Sequence, residues 1–493
     1  MARLPMSAEH PRRDVESLGV GDDWTDVRAV VTGFGVSGFA AADTLQHLGA
    51  SVTVLDERVP DAGSARAEQA TLLETLGVTL RLEPGATATL PDDVDLVVTS
   101  PGWRPESPAL RAAAERGVPV WGEVELAWRL RGPDAPPWLC VTGTNGKTTT
   151  VQMLDAILRA GGLRSAAVGN VGRPVLEAVM DPEPLDVLAV ELSSFQLHWS
   201  SSLAAEASAV LNIADDHLDW HGTLDAYAHA KGRVYENVER ACVYNVEDPR
   251  TEQLVRDADV QEGARAIGFT LGVPAPGMLG VVDGLLADRA FAPDRQTSAA
   301  ELGSVADLPD DAPHTVANAL AAAALARAHG VEPRAVRDGL RGFRRGPHRA
   351  DLVAEVDGVR YVDDSKATNP HAALASLRGV ESAVWIAGGL AKGARFDELV
   401  EAARERLRGV VLIGTDRAVV AEALARHAPD VPVTEVVGGE DGLMDDVVAA
   451  AAALARTGDT VLLAPGCASM DQFRDYAARG DAFAASVRRL PTA

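Results

Sequence analysis

A short apolar run that ends in a glycine turn and passes into a helical pattern recurs along this chain. That repeat limits the possible folds more than any other feature. From Val27, VRAVVTGFGVSG is a buried strand entering a glycine-rich turn, with a helix expected over Phe39–Leu48 and stopped by Gly49. SVTVLDER and VDLVVTSPG are further strands of the same unit. Trp138–Val141 is a strand, GTNGKTTT is its turn, and the helix beyond carries Val151, Leu154, Ile157 and Leu158 on one face before Gly161–Gly162 end it. LDVLAVELSSFQL and ASAVLNIADDHLD lead from strands into polar turns, LGVVDGLLAD is a hairpin, and Thr315–His329 is an alanine-rich helix. A third unit begins near Gly346, with strands Val359–Val362, Ala383–Ala387, Val410–Ile413 and Thr460–Leu463 ending in DDSKATN, GGLAKG, GTD and APGCAS. Short strands alternating with helices imply an α/β fold with parallel sheets. Ligands bind beyond the carboxyl ends of such strands, so the last four turns should line one crevice.

A chain of 493 residues suggests about three domains of roughly 150 residues each. The expected division is a disordered polar tail over 1–24, a Rossmann-like domain over 25–122, a central P-loop ATPase-type domain with a parallel or mixed sheet over 123–345, and a second Rossmann-like domain over 346–493. The formal net charge of −25 argues against nucleic acid or an anionic membrane as partner, because both require a basic field. Cys140, Cys242 and Cys467 are widely spaced and form no C-x-x-C pair, so a disulfide framework and a zinc ribbon are not expected and a reducing cytoplasm fits. No apolar run is long enough to span a bilayer, and the N-terminal residues have no apolar core of a signal peptide.

Four local patterns carry chemistry. In WLCVTGTNGKTTT the glycine of G-x-x-x-x-G-K-[ST], six residues before its lysine, is replaced by Val141, yet a strand, Gly-Lys-Thr and a helix still direct backbone N–H groups at a phosphate. Lys147 would reach the β- and γ-phosphates and Thr148 would hold Mg²⁺; the plain alternative is a strand–turn–helix joint. GFGVSG, with Gly33, Gly35 and Gly38, fits G-x-G-x-x-G, and Asp56 closes the next strand where a ribose-binding acid belongs. Tight α/β turns also produce this pattern without a ligand, and Arg58 reads either as a phosphate partner or as a surface arginine. Glu191 at a strand end is a natural Mg²⁺ ligand. Asp215, Asp216 and His217 read locally as a helix-capping turn, and Lys231 reads as a solvated helix lysine.

Taken together, GTNGKTTT, ELSSFQL, DHLDWHG…AKGRVYENV, HTVANALAA, GPHR and VDDSKATNP, in this order, resemble the Mur ligases of peptidoglycan synthesis along nearly the whole chain. DDSKATNP and CASMDQF look most like members that add D-glutamate to UDP-N-acetylmuramoyl-L-alanine. In that family the ATP loop is G-T-N-G-K-[ST], shorter than the Walker pattern. The resemblance implies an ATP-dependent, monomeric, cytoplasmic ligase whose partners are UDP-N-acetylmuramoyl-L-alanine, D-glutamate and ATP. Gly143, Thr144, Asn145, Gly146, Lys147, Thr148 and Thr149 would cradle ATP, Asn318 would read adenine, Arg349 the phosphates and Asp364 the ribose. Thr148 and Glu191 would hold one Mg²⁺. His217 and Lys231, the latter carbamylated by CO₂, would hold a second. Val36, Ser37, Asp56, Glu57, Arg58 and Gly102 would border the UDP moiety, and Asn170 and Ser193 the muramoyl group. Thr368, Lys392, Ser469, Met470 and Tyr476 would form the D-glutamate pocket.

The implied reaction forms an acyl phosphate from the L-alanine carboxylate, which the D-glutamate amine then attacks. Competing readings are a nicotinamide dehydrogenase built on GFGVSG and Asp56, a non-catalytic ATP-binding switch, and a folate- or L-alanine-adding relative.

Overall fold

The computed structural model describes residues 12–183, 185–438 and 442–490. The chain divides into two compact units, one of Met1–Ile213 with Ala228–Phe343 and one of Ala214–Tyr227 with Arg344–Ala493.

The first unit holds two sheets. Strands β1 (Arg28–Thr32), β2 (Ser51–Asp56), β3 (Thr79–Leu82), β4 (Leu96–Thr99) and β5 (Val120–Gly122) pair in parallel in the order β3-β2-β1-β4-β5. The order reverses beside β1, so the turns after β1 and β4 face one crevice. Gly33 makes this possible: its φ is +91°, and a Cβ there would lie 2.6 Å from Ser100 Oγ and from Trp103 Nε1. The helix after β1 begins at Val36 and ends at His47, three residues earlier at its start than the apolar periodicity indicates. The first turn, Val36–Ser37–Gly38, has one large apolar residue, and it faces solvent, so the start escapes a hydrophobic pattern.

The expectation of a disordered tail fails over residues 12–24, while residues 1–11 lie outside the described residues. Val15 and Trp24 are buried. Arg12 donates to the carbonyls of Gly117 and Arg116, the Arg13 N–H donates to Asp95, and Arg129 donates to the Glu16 carbonyl. The few apolar residues of the segment show no period, so its order rests on these distant contacts together with local turns such as Trp24 Nε1 donating to Gly19 O.

The second sheet comprises β6 (Trp138–Thr142), β7 (Ser165–Gly169), β8 (Val187–Glu191), β9 (Ala207–Val210), β10 (Ala241–Asn245), β11 (Arg265–Phe269), β12 (Met278–Val282), β13 (Leu285–Asp288) and β14 (Ala300–Ser304), in the order β14-β13-β12-β11-β10-β9-β6-β8-β7. It is mixed: β12, β13 and β14 pair antiparallel and the others parallel. The expected hairpin is β12–β13, turned at Asp283 and Gly284, both at positive φ. Helices Lys147–Ala160, Pro313–His329 and Pro333–Gly342 cover one face. The alanines at 321–324 are fully buried there, and a Cβ on Gly339 would sit 2.5 Å from Ile157 Cα, so small residues set the helix approach.

The two sheets are joined by the helix Glu123–Arg129. Its two buried carboxylates reach into the central domain. Glu125 accepts from the N–H and O–H groups of Ser201 and Ser202, and Glu123 accepts from Leu176 N at 2.7 Å.

In the second unit, β15 (Asp351–Val356), β16 (Val359–Asp363), β17 (Ala383–Gly388), β18 (Leu407–Ile413), β19 (Val433–Glu435) and β20 (Thr460–Leu463) form a sheet in the order β15-β16-β20-β17-β18-β19, parallel except for β15. On β17, Ala383, Trp385 and Ala387 enter one core while Val384 and Ile386 enter the other, so helices cover both faces. The four turns expected to share a crevice are stitched together. Leu390 and Ala468 exchange two backbone bonds, Asp416 N donates to Gly389 O, Gly466 N donates to Ala367 O, and Thr415 N donates to Asp471.

Candidate active site

The loop after β6 lies between the ends of β8 and β9. Gly143 has φ +149°, and a Cβ there would meet Leu211 Cβ at 3.0 Å, so the chain passes too close to β9 for a side chain. Gly146, the N-cap of the following helix, has φ +85°, and its Cβ would fall 2.3 Å from Asn318 Oδ1. Asn318, buried on the helix Pro313–His329, therefore rests against the loop. Asn212, just past β9, fixes the loop from the side. Its backbone carbonyl accepts from Thr144 N, its Oδ1 accepts from Asn145 N at 2.8 Å, and its Nδ2 donates to Asn145 O at 3.1 Å.

Lysine chemistry dominates the rest of this site. The chain contains four lysines, at 147, 231, 366 and 392. Lys147 Nζ donates to Gly143 O at 2.9 Å and Thr144 O at 3.0 Å. Lys231 is 1% exposed, not solvated as its local sequence suggests, and its Nζ donates to the same Gly143 O at 2.9 Å. The two nitrogens therefore lie within about 6 Å of each other. Thr148 and Glu191 are buried on elements that flank the loop: Thr148 in the first helical turn after it, and Glu191 at the end of β8, which pairs with β6. Glu191 Oε1 accepts from Asn170 Nδ2 at 2.9 Å, whereas Oε2 is buried without a hydrogen-bond partner. A buried carboxylate oxygen with nothing to bond fits a hard cation. Among the described residues no three His, Cys, Asp or Glu gather as a metal cluster, so a cation here would draw its remaining oxygens from a bound ligand or water.

The GFGVSG turn is built differently. Asp56 Oδ2 accepts from Phe34 N at 2.6 Å and lies 2.8 Å from Arg66, and Oδ1 accepts from Arg58 N at 2.9 Å. Glu57 turns away to accept from Gly85 N at 2.6 Å, Thr87 N and the Thr87 hydroxyl; that hydroxyl and the two N–H groups hold its carboxyl below the usual range. Val36, Arg58 and Gly102 are exposed and Ser37 is half-buried. Ser193 caps the helix Ser194–His198 in a reciprocal box with Gln196.

In the second unit, His217 is the N-cap of a short helix, at φ 53°, which matches the capping turn read from Asp215–His217. Asp364 accepts from Ala350 N at 3.2 Å and from the Ser376 hydroxyl, and burial pushes its carboxyl up to about 6. Arg349 stands between His348 and Ala350, both left-handed. Thr368 follows β16, Lys392 (φ 50°) follows β17, Ser469 and Met470 follow β20, and Tyr476 opens the helix Tyr476–Val487. Ser469 is buried and Met470 is 64% exposed. No local pattern in the sequence marks Lys366, whose Nζ lies 3.9 Å over the Tyr476 ring, nor Asn212 nor the buried Arg479. Only the scarcity of lysine in the chain singles out Lys366.

No helix among the described residues is long and apolar enough to cross a membrane. Three family descriptions match in succession: the Mur ligase MurD-like N-terminal domain over residues 27–122, the Mur ligase middle domain over 141–326, and the Mur ligase glutamate ligase domain over 348–467. A UDP-N-acetylmuramoylalanine–D-glutamate ligase of Streptomyces avermitilis is 62% identical over 468 residues, covering 95% of this chain and 99% of that one. A protein of the same name from Streptomyces coelicolor is 61% identical over 472 residues, covering 95% and 99%. Among solved structures, a pseudomurein peptide ligase type C from Methanothermus fervidus shares the fold at a TM-score of 0.56 and 16% identity, covering 94% of this chain and all of that one. With three matching domains in order and near-full-length relatives at this identity, the chain belongs to the Mur ligase family.

Proposed function

We propose that this chain is an ATP-dependent ligase that adds D-glutamate to UDP-N-acetylmuramoyl-L-alanine and releases ADP and phosphate. The observation that carries the reading is identity of 62% and 61% to proteins of that name along 95% of the chain.

The chemistry requires activation, because a carboxylate is a poor electrophile. The L-alanine carboxylate attacks the γ-phosphorus of ATP, ADP leaves, and the acyl phosphate is captured by the D-glutamate amine with expulsion of phosphate. Lys147, bonded to the loop's own carbonyls, would swing onto phosphate oxygens and balance charge on the transferring group. The N–H groups at the start of the helix Lys147–Ala160 add a favourable dipole. Thr148 and Glu191 would hold Mg²⁺, which when bound neutralises developing phosphoryl charge.

We further assign Lys231 as a carbamate, an anionic oxygen ligand for a second Mg²⁺, with His217 as a proposed metal ligand. Two ammonium groups donating to one carbonyl repel each other, and adding CO₂ to Lys231 replaces one positive charge by a negative one. A carbamate keeps one N–H on Nζ, enough to retain the bond to Gly143 O. Asn318, Arg349 and Asp364 are assigned to ATP; Val36, Ser37, Asp56, Glu57, Arg58, Gly102, Asn170 and Ser193 to the UDP-linked substrate; and Thr368, Lys392, Ser469, Met470 and Tyr476 to D-glutamate. A monomer in the cytoplasm completes the proposal, in keeping with three buried free cysteines.

The deciding experiment measures phosphate release with UDP-N-acetylmuramoyl-L-alanine labelled with ¹⁸O in its carboxylate. D-Glutamate-dependent release with one ¹⁸O transferred into phosphate is expected. ATP consumption indifferent to D-glutamate would end the proposal.

A further inference from the structure

Arg479 lies on the helix Tyr476–Val487 and is 1% exposed. Its Nε donates to Ser365 Oγ at 2.9 Å, its Nη2 to Ser365 O at 2.8 Å and its Nη1 to Cys467 O at 3.2 Å. All three acceptors are neutral. The carboxylates that sense its charge from farther away, Asp363 and Asp471, are bonded elsewhere, to His348 and to Thr415 N. A buried guanidinium without a paired carboxylate is costly, and a fold retains one where its planar fork does something an apolar side chain could not.

Here the fork spans two turns. Ser365 follows β16 and Cys467 follows β20. Those strands are neighbours whose ladder ends at Asp363 opposite Leu463, with Asp364 N donating to Leu463 O just beyond. Past that point, Gly466 N to Ala367 O is the backbone bond between the turns. The same Ser365 hydroxyl donates to Tyr476 O at 2.7 Å, which draws the start of the helix into the clamp. The first turn continues to Thr368, the second to Ser469 and Met470, and the helix begins with Tyr476.

We infer that Arg479 is a positioning residue for the amino-acid pocket: its buried guanidinium holds the Thr368 turn against the Ser469–Met470 turn and so sets the affinity for D-glutamate. The inference rests on the reading of this pocket given above.

The test uses the full chain and phosphate-release rates with D-glutamate, ATP and the nucleotide-sugar acid varied in turn. Arg479→Lys keeps the charge but cannot fork, and Ser365→Ala removes one acceptor and leaves both carbonyls. Expected are KM increases for D-glutamate on the order of tenfold and threefold respectively, with kcat and the KM for ATP within about twofold. Lys392→Ala, in the pocket itself, sets the upper scale. Thermal unfolding of each variant reports whether the domain is intact. Folded Arg479→Lys and Ser365→Ala variants with unmoved KM for D-glutamate, or with ATP affinity falling in step, would overturn the inference alone. A wild-type chain that ignores D-glutamate would remove the functional reading and this inference together.

Discussion

The turns after β1 and β6 share a shape and differ in charge. Each leaves a buried strand through a glycine at positive φ and enters a helix within four residues. In the first, a carboxylate holds the turn: Asp56 takes the Phe34 N–H and is met by Arg66. In the second, a neutral amide, Asn212, holds the turn, and two lysines converge on Gly143 O. A glycine-rich turn is thus only a frame. The polar groups that close it decide whether it would offer an ammonium to a triphosphate, as Lys147 would, or a balanced surface on which a less charged ligand is read by shape.

The contrast breaks most completely if the second turn loses its lysines. Lys147→Ala should lower kcat by about a thousandfold or more, because no other side chain on that turn replaces the charge. Lys231→Ala should cost about a hundredfold or more and regain part of the activity with added formate or acetate, small carboxylates that fill the space of the carbamate. Steady-state rates with and without the added acid check this, and full activity in the unassisted variant would make Lys231 a packing residue.

Asn212→Ala probes the frame without touching its charge. Two hydrogen bonds to Asn145 disappear, so the KM for ATP should rise by about tenfold while that for D-glutamate stays put. On the first turn, Asp56→Asn removes a charge that Arg66 balances. The expected result is a rise of about threefold in the KM for the nucleotide-sugar acid with ATP unaffected. If both variants moved the ATP constant equally, the two turns would not be separable as argued.

Much of this was legible in the sequence because it is local. Gly-Lys-Thr after an apolar strand announces its turn, and the ends of β16, β17, β18 and β20 announce a common crevice. What escaped depends on partners far along the chain. Lys231 looks solvated in AYAHAKGRV, and only packing against a turn 88 residues away buries it. Asn212 is an ordinary residue in VLNIAD until its amide meets Asn145. Arg479 looks like any helix arginine, and Trp24 and Val15 sit in a stretch without period. β15 carries Asp351 and Glu355, β19 carries Thr434 and Glu435, and both are edges of their sheet, which blurs the apolar run that reveals a central strand.

The smallest effect concerns the helix that joins the two turns' domains, where Glu123 and Glu125 are both buried but in opposite states. Burial pushes the Glu125 carboxyl up, yet bonds from Ser202, Ser201 and Arg129 outweigh it and leave it below the usual range. Burial raises Glu123 to about 7, Glu177 adds to the rise, and its Oε2 has no partner. Between the unfolded value near 4.5 and about 7, the unfolded chain gives up the Glu123 proton while the folded chain keeps it. Stability from Glu123 is therefore present below the lower value and lost as pH rises through the upper one, at most about 3 kcal/mol in all. Glu123→Gln, which cannot ionise, should gain on the wild type in unfolding temperature from pH 5 to pH 8. Glu125→Gln should instead keep a constant deficit across that range, because a carboxyl held below 4.5 is ionised throughout it in both states and its stability is lost only as pH falls below 4.5. Parallel melting curves for Glu123→Gln and wild type across that range would show that Glu123 keeps its charge when buried, and that the junction holds two anions, not one.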